Sequence, residues 1–165
     1  MNDQQREQKV YEHLKDLGIP YKKHSHPAVY TVEEAQRHRG GITGGQAKNL
    51  FLRNAKGSRH YLVVLEHSKQ LDIKTLQSRI GASKLSFASE RRLEKYLGLN
   101  PGSVSPFGLI NDEKNEVETY VDSDLMDCEQ VNFHPNVNTA TLTISSADFR
   151  RFLENSGNKV HFLQL

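Results

Sequence analysis

Apolar positions fall into two rhythms along the chain. Val10, Leu14 and Leu17 recur at helical spacing through residues 3–17, and Gly18 with Pro20 stops the pattern. A short extended piece, "YKKHSHP" at 21–27, follows. Thr31 ahead of Val32, Glu33 and Glu34 has the form of a capping box, since Glu34 holds the third helical position, and predicts a short helix to about Arg39. Gly40, Gly41, Gly44 and Gly45 then read as a flexible loop before "KNLFLRN", which "NAKGSR" joins to "HYLVVLE" as a hairpin. Both runs are apolar on either face, so this pair is expected at the centre of the sheet.

Two further helices are predicted, one capped by Asp72 and carrying Ile73, Leu76 and Ile80, the other capped by Ser89 and carrying Leu93, Tyr96 and Leu97 up to Gly98. After the loop "NPGSVSPFG", strands are expected at "VETYVD", "VNFHP" and "TATLTIS". A helix opening at Ser145 or Ser146 and ending near Glu154 precedes a last strand, "KVHFLQL". Helices and strands mix without strict βαβ alternation. The fold class that follows is α+β: one domain over residues 1–165, with a mixed, largely antiparallel central sheet flanked by helices.

Composition agrees. With 165 residues, 36% apolar and 25% charged, the chain suits one globular domain with a real core. The longest uncharged apolar run, "YLVVL" at 61–65, is too short to cross a bilayer, and the polar amphipathic N-terminus lacks a secretory h-region; the expected location is the cytoplasm, with no membrane partner. Cys128 is the single cysteine, which excludes an internal disulfide, and its acidic surroundings "DSDLMDCEQ" disfavour a thiolate nucleophile. Net charge is only +2, and the basic pairs at Lys22-Lys23, Arg37-His38-Arg39, Arg91-Arg92 and Arg150-Arg151 read as solvated helix faces.

Candidate chemistry is sparse. Strand alternation puts Lys48 on the side of Leu50 and Leu52, with Asn49 and Phe51 on the other. Beside a glycine loop, the Lys48 ammonium either snorkels to water or meets an anionic ligand. The loop "GSVSP", Gly102, Ser103, Val104, Ser105 and Pro106, is stiffened by proline and opened by glycine, so its backbone groups can converge on a small ligand; it can equally be a connector. His134 ends "VNF" where Pro135 turns the chain, which places the imidazole at a sheet edge as an acid/base, a donor or a surface group. His24 and His26 share a strand face, but no third ligand stands at a metal-binding spacing. No nucleophile elbow, P-loop or dinucleotide fingerprint occurs.

In combination these segments are more specific. "AKNLFL" after a glycine loop, then "GLNPGSVSPFGL", then "FHPNVNTATLTIS" resembles the prolyl-tRNA editing family, also called the YbaK or synthetase-associated domain, and is most similar to its free-standing alanyl-tRNA(Pro) deacylases. The resemblance covers nearly the whole chain. It implies a hydrolase that deacylates mischarged tRNA(Pro), with Lys48, Asn49 and His134 as the catalytic set and residues 102–106 holding the amino acid. It further implies the acceptor end of an aminoacylated tRNA as partner, a transient association with prolyl-tRNA synthetase, no cofactor and no metal. An aminoacyl ester is already activated, so an oriented water and stabilisation of the carbonyl charge suffice. Within the family the rival substrate is cysteinyl-tRNA(Pro); outside it, the rival is a non-catalytic amino-acid-sensing or tRNA-binding module. Two side chains of the proposed set, Lys48 and Asn49, point to opposite faces unless the strand starts after them or carries a bulge.

Overall fold

The computed structural model describes residues 1–28 and 42–165. The capping box expected at Thr31, its helix to Arg39, the cluster at 37–39 and Gly40-Gly41 lie outside the described residues.

Helix α1 (Asp3–Asp16) starts where Asn2 and Gln5 exchange hydrogen bonds of 2.9 Å, a capping box one residue ahead of the apolar pattern. Strand β1 (Lys22–Ser25) leads to β2 (Gly45–Arg53) and β3 (His60–Glu66). Helix α2 (Ile73–Ile80) and helix α3 (Glu90–Leu97) are capped by Asp72 and Ser89, and the two-residue strand β4 (Ser86–Phe87) lies between them. The expected loop is instead two short 3-10 turns, Pro101–Ser103 and Pro106–Asn111. Then come β5 (Val117–Asp122), the short helix α4 (Ser123–Met126), β6 (Gln130–Phe133), β7 (Ala140–Ser145), α5 (Ser146–Asn155) and β8 (Val160–Leu163). β4 and α4 are the elements the apolar pattern does not reveal, because neither is long enough to show a period.

The strands form one sheet in the order β1-β7-β6-β2-β3-β5-β8, with β4 added to β2. Pairings β1/β7, β6/β7, β2/β3 and β2/β4 are antiparallel, and β2/β6, β3/β5 and β5/β8 are parallel. The sheet is thus mixed, with β2 and β3 central as their two-faced apolar runs require. Alternation in β3 feeds two cores. Leu62 and Val64 join Phe51, Leu93, Leu97, Phe107, Phe133, Phe149 and Phe152 on the face covered by α1, α3 and α5. Tyr61 and Val63 join Leu52, Leu76, Leu85 and Tyr120 on the α2 face. Full burial of each such side chain is worth about 1.5–3 kcal/mol, so the sheet's central register is strongly specified. Among the described residues no helix is long and apolar enough to cross a membrane.

Candidate functional site

Strand β2 changes partner along one of its edges. Gly45 and Gln46 pair with Val131 and Asn132 of β6, whereas Leu52 and Arg53 pair with Phe87 and Ser86 of β4. Between these pairings no described strand covers that edge, and the break opens a cleft of about 240 Å³. Asn49 and Phe51 form its floor, Leu93 and Glu90 of α3 one wall, and Pro101 and Val104 another, with Phe87 on the rim. Phe51 O accepts from Ala88 N at 2.9 Å, so by strand alternation the backbone N–H and C=O of Asn49 also point towards the gap. The Asn49 side chain adds a third group, because its Oδ1 is buried and receives no hydrogen bond. An acceptor in that state is costly unless a ligand brings the donor.

The start of β2 is held by close packing. At Gly44 the backbone has φ 101°, and a Cβ there would come within 2.9 Å of Gln130 O. At Gly45 a Cβ would press to 2.9 Å on Cys128 Sγ and Leu125 Cδ1. Asn132 completes the junction: its Nδ2 donates to Thr43 O (2.9 Å) and Gly45 O (3.1 Å), and its Oδ1 accepts from Thr143 Oγ1 at 2.5 Å. The glycines therefore let β2 settle against β6 and α4, which fixes where the uncovered edge begins. Cys128, half-buried against this junction, is a packing residue.

The loop "GSVSP" and His134 meet through Ser105. Its hydroxyl, fully buried, donates to His134 O at 2.7 Å and accepts from Phe107 N at 3.2 Å. Asn136, in the left-handed conformation with φ 63°, extends the same tie by donating from Nδ2 to Phe107 O at 3.4 Å. Two motifs 29 residues apart are thereby locked to each other. His134 lies just beyond β6, an interior strand, and so at the end of the sheet, where Pro135 follows. Its Nδ1 is 2.9 Å from Ala140 O; a carbonyl only accepts, so Nδ1 carries a proton. The His26 ring stands edge-on to the His134 ring at 6.1 Å.

Lys48 and Asn49 both lie inside β2, whose register with β3 runs without a bulge from Ala47 to Arg53. Their side chains consequently take opposite faces. The Lys48 ammonium donates to Lys69 O at 2.7 Å, away from the cleft. Lys69 is itself anchored: its Nζ is 3.0 Å from Asp122 Oδ2, 2.7 Å from Asp124 Oδ2 and 3.0 Å from Leu165 O. Of the residues singled out from the sequence, the structure brings Asn49 and Val104 into one cleft, attaches Ser105 to His134 beside it, and leaves Lys48 across the sheet.

Residues 26–152 match the aminoacyl-tRNA editing domain family. The chain belongs to that family. This editing domain is 45% identical to the prolyl-tRNA editing protein ProX of Acetoanaerobium sticklandii over 163 residues, covering 99% of both chains. It is 37% identical to prolyl-tRNA synthetase associated domain-containing protein 1 of Danio rerio over 88% of this chain and 79% of that one. A solved structure described as a candidate trans-editing enzyme for prolyl tRNA synthetase superposes with a TM-score of 0.73 over 100% of this chain and 99% of its own, at 22% identity, which speaks for the shared fold.

Among the cleft residues of this editing domain that reading the sequence misses are Phe87 and Glu90. Their only signal is position: a lone aromatic just ahead of the Ser89 cap, in a strand too short to detect. Behind the cleft, His60 is buried between the rings of Phe51 (5.6 Å) and Tyr96 (4.0 Å), with Arg92 Nη1 3.1 Å from its Nε2. Burial, then the charges of Arg92, Arg53 and Lys95, push its pKa down to about 4, so it stays neutral and accepts from Arg92. His24 and His26 turn their Nε2 atoms to Thr143 Oγ1 (3.2 Å) and Thr141 Oγ1 (3.0 Å) of β7. Among the described residues no three His, Cys, Asp or Glu side chains converge as a metal site.

Proposed function

We propose that this chain acts in trans on mischarged tRNA(Pro), hydrolysing the ester that joins a small, wrongly attached amino acid, alanine first, to the 3′ end. The observation that carries this reading is the convergence of Asn49 and Val104 of the 102–106 loop on one cleft at the uncovered edge of β2. Family membership and the likeness to ProX support it.

The residues suit the chemistry. Water attacks the ester carbonyl carbon, the bond to the ribose oxygen breaks, and that oxygen leaves with a proton as the hydroxyl of the tRNA. Val104, at the end of the first 3-10 turn, brings its backbone to the cleft, and an amide there can face the oxygen on which charge develops. Asn49 Oδ1 accepts from the α-ammonium or a ribose hydroxyl, which gives the buried acceptor its missing donor. His134 positions the loop through Ser105 and orients the 3′ end. Lys48, on the far face of β2, is placed for a phosphate of the tRNA rather than for the ester. The ester is activated already, so no protein nucleophile is needed.

Deacylation assays on tRNA(Pro) carrying alanine, cysteine or proline test the reading. Release of alanine well above the spontaneous rate, with prolyl-tRNA(Pro) spared, is expected. Preferential release of cysteine would reassign the substrate, and one methyl against one thiol changes such a preference by only about 1–3 kcal/mol. Binding of tRNA without release of any amino acid would make the chain a recognition module. A transient complex with prolyl-tRNA synthetase belongs to the same reading and accords with the name of the Danio rerio relative.

A further inference from the structure

We infer that Phe87 is a stacking platform for the terminal base of the tRNA 3′ end, which places the last nucleoside along the uncovered edge of β2 between Phe87 and the 102–106 loop. The inference rests on the editing reading above and extends it to how the nucleic acid is gripped.

Phe87 is 61% exposed, and the other large apolar side chains exposed among the described residues are Met1 and Tyr21. Met1 is terminal, and Tyr21 stacks on Tyr11 at 5.4 Å. Phe87 has neither excuse. Leaving it in water forgoes the burial enjoyed by Leu85 two residues earlier. Its backbone is also fixed, by the pairing of Phe87 with Leu52, by the 2.9 Å bond from Ala88 N to Phe51 O, and by the Ser89 cap that starts α3. A flat ring held rigid at the rim of a ligand-sized cleft is suited to stack a planar group with little loss of entropy.

The cleft's polarity says which part of a nucleotide enters. Among the described residues its lining includes Asn49 and Glu90 and no cation, so these groups offer acceptors and would repel phosphate. A base with an exocyclic amine, a ribose with hydroxyls and an α-ammonium are donors. With about 240 Å³ the space suits a nucleoside and not a duplex. Phosphates then stay outside, and the base meets the exposed ring of Phe87 at the rim.

The chain contains no tryptophan, so Phe87→Trp introduces a single reporter. Its emission is followed while an acceptor-stem hairpin ending in CCA is added, and again with the hairpin shortened to CC. Saturable quenching by the first at an affinity at least fivefold tighter than by the second is expected. Equal responses, or none, overturn the platform. In parallel, Phe87→Ala is expected to raise KM for mischarged tRNA roughly tenfold with kcat largely kept, since stacking on an aromatic side chain is worth that much, and Phe87→Trp to regain most of the loss. An unchanged KM in Phe87→Ala also overturns it. If the unsubstituted protein deacylates and both Phe87 tests are negative, only the platform falls. If it deacylates nothing, the editing reading falls while the fluorescence comparison still decides whether Phe87 meets a terminal base.

Discussion

Two asparagines on neighbouring strands should respond to truncation in opposite ways. Asn132 has its whole carboxamide in use, donating to Thr43 O and Gly45 O and accepting from Thr143 Oγ1. Asn49 has a buried Oδ1 that accepts nothing. Asn132→Ala strands two carbonyls and a hydroxyl at the β2/β6 junction, at a cost of about 2–3 kcal/mol. For a chain of this length that is a fall in Tm of roughly 4–10 °C. Asn49→Ala removes an acceptor whose desolvation costs about 1–3 kcal/mol, against some lost packing, so Tm should hold or rise. Its activity should fall instead. If the missing donor is the α-ammonium of the substrate, a charge-assisted bond of about 1.5–3 kcal/mol is lost, which lowers kcat/KM by roughly 10- to 150-fold. Thermal unfolding followed by circular dichroism and steady-state deacylation of alanyl-tRNA(Pro) check the pair. Should Asn49→Ala destabilise as much as Asn132→Ala, or keep full activity, Asn49 is a structural residue and the cleft is not where the ester sits.

Lys48→Ala should leave Tm within about 2 °C, because the side chain is exposed and makes one bond to Lys69 O, while kcat/KM drops at least tenfold; unaltered kinetics in the folded variant would remove Lys48 from the reaction. Lys69→Met should cost about 3–5 kcal/mol in urea unfolding, since it leaves the fully buried Asp122 carboxylate without its cation, and Asp122→Asn on the same background should recover part of the loss. His60 titrates at about 4 in the folded protein, below the ordinary 6.5, so its stability contribution is intact above about pH 6.5 and lost as pH falls towards 4. The wild-type Tm should therefore fall more steeply over that window than that of His60→Gln, and parallel curves would disprove the assignment.

Local rules decide a large part of this molecule. The caps at Asp72, Ser89 and Ser145 and the stop at Gly98 are where short-range hydrogen bonding and backbone freedom put them. The two-faced apolar runs of β2 and β3 demanded the centre of a sheet, and they hold it. The motif order around Lys48, the 102–106 loop and His134 was enough for the family, since those residue types are spelled out in one dimension.

What the sequence could not supply was adjacency. A cleft exists because β2 exchanges β6 for β4 along one edge, and strand exchange depends on pairings between segments more than 30 residues apart that leave no local period. Phe87 and Glu90 enter the site only through that break. Ser105 reaches His134 because two loops fold against one core, and Lys48 turns away from Asn49 because an unbroken antiparallel register sends neighbouring side chains to opposite faces. Residue chemistry was written along the chain, whereas which groups share a cavity was decided by the sheet that buries them.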